Sequence, residues 1–188
     1  MEWSDGKKRC GWANPKNERY IRYHDEEWGV PVYDDGMLFE MLVLECFQAG
    51  LSWECVLNKR EAFREAFDGF DLETVCAYGK DKLEALVRDP GIIRNRLKIQ
   101  AAVTNARVFR EIQGESGSFS GYLWHWTAGQ VVYESGLTHS ELSDRISKDL
   151  KKRGMKFVGT TVIYAYLQAV GVIYSHDGGC FLEYKTVV

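Results

Sequence analysis

The sequence predicts an all-α protein, and three features of its 188 residues lead to that class. Apolar residues recur every three or four positions through most of the chain, which is the spacing of one buried helix face. Capping residues and glycines bracket these segments. Alternating apolar and polar residues, which would indicate strands, are nearly absent, and only 130–133 suits a short extended piece. No apolar run approaches the roughly 18 residues of a membrane-spanning helix, so we expect no membrane partner.

Two helices are predicted in the first third of the chain. Asp34 and Asp35 can cap a helix that we expect to run to about Gln48 and to end before Gly50. Ser52 opens another helix, whose apolar stripe is formed by Trp53, Val56, Leu57, Arg60, Phe63 and Phe67. Both starts place an N-cap residue type directly ahead of a periodic apolar run, which is the signature of a helix N-terminus.

The middle of the chain predicts a short helix, a turn and a long helix. Asp81 with Glu84 three residues later matches a capping box, which predicts a short helix that ends near Arg88. The Asp-Pro-Gly sequence at 89–91 predicts a turn. A long helix is then expected to continue to about Ile112, with a buried face formed by Ile99, Ala102, Val103 and Ala106.

The last third of the chain predicts one loop and two further helices. The Gly/Ser-rich stretch 114–121 is expected to be a loop within the domain. The segment 139–153 is amphipathic, and Gly154 is expected to end its helix. Residues 160–170 are apolar on all sides, which predicts a central buried helix.

The charge of the chain is distributed unevenly. The net charge is −3, which by itself disfavours a nucleic-acid-binding protein. Two segments, 88–110 and 148–156, are nevertheless strongly basic, so the rest of the chain is acidic. One basic face on an acidic protein is suited to attract phosphates. The alternative is that both segments are ordinary solvated helix faces.

The five cysteines are not expected to form disulfides. Their number is odd, and the N-terminal residues lack the apolar stretch of a secretory signal, which indicates cytoplasmic residence. Cys46, Cys55 and Cys76 lie among apolar neighbours in helical patterns and are expected to be small core residues.

The remaining two cysteines accompany histidines near the two ends of the chain. Cys10 and His24 lie near one end, and His176 and Cys180 lie near the other. Thiolates and imidazoles are the ligands of tetrahedral zinc, and four such ligands leave no position for water. A zinc ion held by all four would therefore be structural. The alternative is an accidental cysteine and histidine at each end.

The segment 86–98 resembles a helical hairpin with basic flanks. A Pro-Gly turn joins its two predicted helices, and Arg94, Arg96 and Lys98 follow the turn. The turn amides and the N-terminus of the second helix can bind a DNA phosphate. The alternative is a helical hairpin without any role in DNA binding.

Glu45 and the dense aromatic residues are the candidates for substrate recognition. Glu45 falls on an apolar helix stripe, where a carboxylate is costly unless a partner compensates it. It is either a substrate-binding residue or a buried acid that accepts hydrogen bonds from backbone ends. Aromatic faces bind flat cations and flipped-out bases, although each ring can also be ordinary core; the candidates are Tyr20, Tyr23, Trp28, Trp53, Trp124 and Trp126.

Several long stretches of the chain resemble one known family. They are Arg-Cys-Gly-Trp at 9–12, Tyr-His-Asp-Glu-Glu-Trp-Gly-Val-Pro at 23–31, Leu-Glu-Cys-Phe-Gln-Ala-Gly-Leu-Ser-Trp at 44–53, Gly-Ile-Ile-Arg-Asn-Arg-Leu-Lys-Ile at 91–99, Lys-Lys-Arg-Gly-Met-Lys-Phe-Val-Gly-Thr-Thr at 151–161, and 176–180. In this order they are similar to the bacterial 3-methyladenine DNA glycosylase I family. The resemblance implies the helix-hairpin-helix glycosylase fold. It implies one catalytic domain, 1–188, with a helical lobe at about 35–130 and a zinc-linked lobe at about 1–34 and 131–188.

The resemblance also implies a role for each candidate residue. One structural zinc per chain would be bound by Cys10, His24, His176 and Cys180. Glu45 falls on the glutamate that recognises the base and is the residue we assign to catalysis. The pocket aromatics are Tyr23, Trp28 and Trp53, and the DNA-binding residues are Leu51, Gly91, Ile92, Arg94 and Lys98. Two departures from the family pattern are local: Cys46-Phe47 beside Glu45, and Leu97, where glycine is common.

The implied activity is hydrolysis of the N-glycosidic bond of 3-methyladenine in double-stranded alkylated DNA, by a monomer that releases the free base. The methylated base is a cation, so its bond to the sugar is already weakened, and the enzyme needs selection more than acid–base help. Two alternatives remain: a non-catalytic, zinc-stabilised helix-hairpin-helix DNA-binding module, and a zinc hydrolase. The closed set of four protein ligands disfavours the hydrolase.

Overall fold

The structure, a computed structural model, describes residues 3 and 5–184 and is mostly helical, as the sequence predicts. Its helices are α1 (Glu18–Arg22), α2 (Asp35–Gln48), α3 (Trp53–Leu57), α4 (Arg60–Ala66), α5 (Leu72–Cys76), α6 (Lys80–Arg88), α7 (Arg96–Ser116), α8 (Phe119–His125), α9 (Glu141–Lys152) and α10 (Thr160–Ala169). A π-helical turn, Tyr23–Glu27, follows α1, and a 3₁₀ turn, Asp68–Phe70, follows α4. Two short strands, β1 (Val132–Tyr133) and β2 (Ile173–Tyr174), complete the described residues.

Helix α2 forms the centre of the core. All of its residues from Leu38 to Phe47 are buried, and the helix contacts both α7 and α10. The predicted cap is confirmed, because the Asp34 carboxylate accepts a hydrogen bond of 2.8 Å from the Met37 amide. Gly50, with a φ of +80°, lies in the left-handed region just beyond the end of the helix, as expected for a glycine that follows a helix.

The helix predicted from Ser52 is interrupted. The Ser52 hydroxyl caps α3 by accepting a hydrogen bond from the Cys55 amide, but the chain leaves helical geometry at Lys59 before α4 begins. Phe63 and Phe67 are fully buried on the predicted stripe. The apolar stripe therefore continues from α3 into α4, although the helix is interrupted between them. The sequence periodicity does not predict this interruption.

Three predicted boundaries in the middle of the chain are wrong. Helix α6 begins at Lys80 after Gly79, so Asp81 lies inside its first turn and does not cap it. Helix α7 begins at Arg96, because the Asn95 side chain caps it by accepting a hydrogen bond from the Lys98 amide. The predicted loop at 114–121 is largely helical: α7 continues to Ser116, and α8 starts after a single left-handed glycine and a capping serine.

Helices α9 and α10 form the other side of the core. At the start of α9 the Ser140 amide donates a hydrogen bond of 2.9 Å to the Ser143 hydroxyl, and Gly154 follows the end of the helix with a φ of +106°. Helix α10 packs against α9 and α2, which confirms the central buried helix predicted at 160–170. Within the described residues, no helix is both long and apolar enough to cross a membrane.

Strands β1 and β2 pair in parallel. The predicted extended piece is thereby confirmed, whereas its pairing with β2 is not predicted by the sequence. Gly171, just before β2, lies so close to the backbone of Val30 and Pro31 that an added Cβ atom would meet it at 2.3 Å. Backbone hydrogen bonds join this region to the segment before α2, from the Gly29 amide to the Gln168 carbonyl and from Val32 to Val170. The two ends of the chain are thereby brought to one side of the core.

Candidate active site and metal centre

The four predicted metal ligands meet at this junction. Cys10, His24, His176 and Cys180 are all buried, and their candidate ligand atoms lie within 4.8 Å of one another. The Nδ1 atom of His176 lies 3.4 Å from the Cys10 sulfur and 3.6 Å from the Cys180 sulfur, and the Nε2 atom of His24 lies 3.5 Å from the Cys180 sulfur. A tetrahedral zinc site with bonds of about 2.3 Å to sulfur and about 2.0 Å to nitrogen places these atoms roughly 3.6 Å apart. The cluster therefore has the dimensions of a metal site.

Burial affects the protonation states of two candidate ligands, and both effects bear on the binding of a cation. Burial lowers the pKa of His176 to about 4, so its imidazole is neutral at pH 7, which is the form that binds a metal. Burial raises the pKa of the Cys10 thiol to about 12, so a nearby cation is needed to favour its thiolate. The backbone amide of Asp177 donates a hydrogen bond to the Cys10 sulfur. This donor set fits a metal ion.

The Asp25 carboxylate orients the His24 ring by contacting the ring nitrogen that faces away from the cysteines. The Nδ1 atom of His24 lies 2.8 Å from the Asp25 carboxylate, which leaves Nε2 directed at the cysteines. Arg9 binds both oxygens of Asp25, at 2.8 Å and 2.6 Å. The π-helical turn that contains His24 also contains Tyr23, so one backbone segment contributes to the metal cluster and to the cavity beside it.

A cavity of about 170 Å³ lies next to the metal cluster. Four segments of the chain build it: the residues before α1, the α1 region with its π-helical turn, the end of α2 with the start of α3, and α10. Its walls are Trp12, Tyr20, Tyr23, Trp28, Glu45, Gln48, Trp53, Ala165 and Gln168. All four residues predicted to recognise the substrate, Tyr23, Trp28, Glu45 and Trp53, therefore line one cavity.

Glu45 is a buried acid that no cation compensates. Its side chain is 3% exposed, and burial alone raises its pKa to about 8. Among the described residues the Glu45 side chain has neither an ion pair nor a hydrogen-bond partner. The alternative, a buried acid that accepts hydrogen bonds from backbone ends, is therefore wrong. A carboxyl group at this site is destabilising unless a ligand offers it a donor or a positive charge.

The aromatic rings of the cavity support one another. Tyr23 and Trp53 have ring centroids 5.2 Å apart, and Trp12 meets Trp28 edge-on at 4.9 Å. The indole Nε1 of Trp53 is buried and has no hydrogen-bond partner among the described residues. The cavity thus offers electron-rich faces and one carboxyl group.

Sequence reasoning missed part of the cavity wall. The sequence patterns do not single out Trp12, Gln48, Ala165 or Gln168, although Trp12 lies two residues from the candidate metal ligand Cys10. Tyr20, an aromatic candidate to which the resemblance gives no role, also lines the cavity. The other noted rings lie elsewhere: the Trp124 indole donates to the Val32 carbonyl, and Trp126 packs against Tyr122.

The two departures from the family pattern lie outside this cavity. Phe47 is fully buried and packs edge-on against Phe63, with ring centroids 4.8 Å apart, so it forms core behind the site. The neighbouring Cys46 thiol faces the Lys156 carbonyl. Leu97 is 67% exposed at the start of α7.

The residues predicted to bind DNA differ in their surroundings. Leu51 is 41% exposed at the tip of the turn between α2 and α3, and Arg94 is exposed in the connection between α6 and α7. Ile92 is buried, and the Gly91 amide donates a hydrogen bond of 2.7 Å to the Asp89 carboxylate. The exposed groups, Leu51 and Arg94, can reach a ligand directly, whereas the others shape the hairpin.

Lys98 occupies a different position from the one that sequence reasoning implied. Its side chain is 7% exposed, and its ammonium donates hydrogen bonds to the carbonyls of Phe47, at 2.8 Å, and Ala49, at 2.5 Å. Burial lowers its pKa. Lys98 therefore binds the end of α2, and its ammonium is not displayed on the surface.

Comparison with known proteins assigns the family. The methyladenine glycosylase family model matches residues 12–183. DNA-3-methyladenine glycosylase 1 of Escherichia coli is 46% identical over 92% of this chain and 95% of its own length. The Haemophilus influenzae DNA-3-methyladenine glycosylase is 38% identical over 92% of this chain and 96% of its own length.

Solved structures agree with this assignment. A crystal structure of 3-methyladenine DNA glycosylase I superposes with a TM-score of 0.89 at 43% identity and covers 93% of this chain and 99% of its own. The Staphylococcus aureus 3-methyladenine DNA glycosylase I superposes with the same score at 34% identity, over 95% of this chain and 97% of its own. The chain belongs to the methyladenine glycosylase family.

Proposed function

We propose that this chain is a DNA-3-methyladenine glycosylase, which hydrolyses the N-glycosidic bond of 3-methyladenine in alkylated DNA. The observation that carries the proposal is the uncompensated carboxyl group of Glu45 within a cavity of aromatic rings. The printed names of its relatives support the same activity. Such a site suits a flat, positively charged ligand with polar edges.

The chemistry of the substrate explains why such a site suffices. Methylation at N3 gives adenine in DNA a positive charge, and the base departs as a neutral molecule. Cleavage then requires little acid assistance, and the enzyme gains most by selecting the damaged base and extruding it from the duplex. We assign Glu45 to this selection, as the residue that contacts the base.

Selection follows from the difference between a cationic and a neutral base in the cavity. A cation that enters the cavity provides the missing countercharge for Glu45, while the faces of Trp53 and Tyr23 add stacking and cation–π attraction. Neutral adenine can accept or donate hydrogen bonds there, but it brings no positive charge, so the Glu45 carboxyl stays protonated beside it and the charge–charge attraction is absent. Undamaged bases are therefore disfavoured even when they are flipped.

The DNA would be bound by the face that carries Leu51 and the α6–α7 hairpin. We propose that α6 and α7 form the helix-hairpin-helix motif, with Arg94 near a phosphate, and that Leu51 fills the gap left by the extruded nucleotide. The exposure of both side chains supports these roles. The two lobes, about 35–130 and about 1–34 with 131–188, would meet at the cavity. A monomer in the cytoplasm stays a prediction.

We propose that the buried cluster binds one structural zinc ion through Cys10, His24, His176 and Cys180. Zinc bound by four protein ligands clamps two distant chain segments and has no free position for a reacting water. The proposal therefore disfavours a zinc hydrolase. It assigns to the metal the role of holding the cavity wall formed by the N-terminal segment and the π-helical turn.

Mass spectrometry of bases released from methylated duplex DNA tests the function. The parent protein should release 3-methyladenine and leave unmodified adenine in place. A matched variant, Trp126→Phe, alters an indole outside the cavity and should release as much as the parent. DNA binding without release of any base would support the non-catalytic DNA-binding module and overturn the proposal.

A further inference from the structure

The buried ammonium of Lys98 joins the hairpin to the segment that bears the base cavity and the exposed Leu51. Lys98 lies in the first turn of α7, four residues after Arg94. Its Nζ atom donates hydrogen bonds to the carbonyls of Phe47, at the end of α2, and of Ala49, just beyond it. Glu45 lies on the same helix end, two residues before Phe47.

The end of α2 needs these donors. The last carbonyls of a helix have no partner within the helix, and α2 is followed by Ala49 in a non-helical conformation whose amide makes no capping hydrogen bond. Lys98 supplies two of the missing donors. The Leu51 amide supplies a third by donating to the Gln48 carbonyl at 2.7 Å, and the Gln48 side chain donates in turn to the Leu51 carbonyl at 3.1 Å.

These hydrogen bonds hold the turn at 47–51 together, and Lys98 binds it from outside the turn. The Gln48 hydrogen bond lies within the turn. Among the described hydrogen bonds, those of Lys98 connect the turn to the hairpin. The turn presents Leu51 at its tip and is followed directly by α3, which begins with the cavity residue Trp53. A shift of the start of α7 is therefore transmitted to the tip.

We propose that Lys98 is a positioning residue that couples docking of the hairpin on the DNA backbone to insertion of Leu51 into the duplex. The inference rests on the proposed function for the identity of the ligand. It assigns Lys98 no phosphate contact. Binding of a phosphate near Arg94 would hold the start of α7, and Lys98 would in turn hold the turn that carries Leu51 in the orientation that fills the gap.

A double-mutant cycle tests this coupling with a duplex that contains a tetrahydrofuran abasic-site analogue. Lys98→Met retains the apolar stem and removes the donors, and Leu51→Ala removes the inserted side chain. We expect each single variant to bind about tenfold more weakly than the parent, and the double variant to bind no more weakly than either. Losses that multiply to roughly a hundredfold in the double variant would overturn the proposal.

The salt dependence of binding separates positioning from phosphate contact. Arg94→Ala is the matched control, and it should reduce the slope of log affinity against log salt by about one. Lys98→Met should weaken binding and leave the slope unchanged. A slope reduced by about one in Lys98→Met would show a phosphate contact and overturn the proposal.

Two further readouts separate positioning from a loss of folding. The affinity of Lys98→Met for free 3-methyladenine should stay within about twofold of the parent, because among the described cavity walls only Gln48 lies in the turn at 47–51. An equal loss of free-base and duplex binding would contradict the proposal. Lys98→Arg restores the donors and should recover most of the duplex affinity. If Lys98→Met does not fold, Lys98→Gln enters the same cycle. The proposed function is tested separately by base release from the parent protein.

Discussion

Trp28 packs edge-on against His176, with ring centroids 4.7 Å apart, so a wall of the cavity contacts a residue of the buried Cys–His cluster directly. Trp12 makes a similar contact with His24 at 5.1 Å. Two of the cavity's indoles thus take their positions from the two histidines. The metal cluster is expected to shape the cavity as well as join the ends of the chain.

Loss of the metal should therefore weaken the cavity and the fold together. Cys180→Ser removes one ligand of four, and we expect it to lower the free energy of unfolding and the affinity for free 3-methyladenine, because metal binding is coupled to folding. Thermal unfolding and calorimetry measure the two effects. Cys55→Ser is the control, because Cys55 is exposed, contrary to the core position that the sequence predicts, and it does not belong to the cluster. Metal analysis that finds well under one zinc per chain in fresh parent protein would end the claim.

Glu45 should reduce the stability of the free protein. Its carboxyl is ionised in the unfolded chain above its ordinary pKa of 4.5 but stays protonated in the folded protein up to about 8. Folding therefore takes up a proton in this range, and the free energy of unfolding falls as pH rises from about 4.5 to about 8. Glu45→Gln should remove this pH dependence and stabilise the protein at pH 8 by on the order of 2 kcal/mol. Urea unfolding at pH 5 and pH 8 measures both effects, and equal stability of the two proteins at pH 8 would contradict them.

The same pKa predicts how excision depends on pH. Only the ionised carboxylate offers a full countercharge to a cationic base, so kcat/KM on methylated DNA should rise with pH and level off above about 8. Glu45→Gln should have a much flatter profile over the same range. Base release under single-turnover conditions from pH 6 to pH 9 provides the profile. A parent profile that falls across this range would mean that a protonated group, not an ionised Glu45, is required.

Helix α2 and the position of Glu45 on its buried face could be predicted because both depend on local sequence. Asp34 caps α2 as its residue type requires, and Glu45 stands out as an acid on an apolar stripe. The remaining features depend on contacts between distant segments. Gln168 reaches the cavity from α10, and Lys98 is buried because the end of α2 packs beside it. No spacing within a single helix encodes either contact.

Trp53 should contribute to binding through its ring face more than through its N–H group. Trp53→Ala should weaken binding of free 3-methyladenine by roughly 1–3 kcal/mol, the range found for a base stacked on an aromatic side chain. Trp53→Phe retains a ring without the unpartnered Nε1 donor and should lose less. Isothermal calorimetry compares the two. If Trp53→Phe loses as much as Trp53→Ala, the indole N–H group rather than stacking carries the contribution.

The central claim is that Glu45 selects the base and does not activate water. The measurement is the affinity of Glu45→Gln for free 3-methyladenine, by calorimetry or NMR, beside its single-turnover excision rate. Glutamine keeps the shape but replaces one carboxyl oxygen with an NH2 donor, which weakens hydrogen bonding to the free base, and it removes the charge that favours the cationic base in DNA. Both the affinity and the rate should therefore fall together. A general base would behave differently, since its loss stops turnover without affecting the binding of a product. If Glu45→Gln binds 3-methyladenine as tightly as the parent while its excision collapses, Glu45 is the general base and the selection account is wrong.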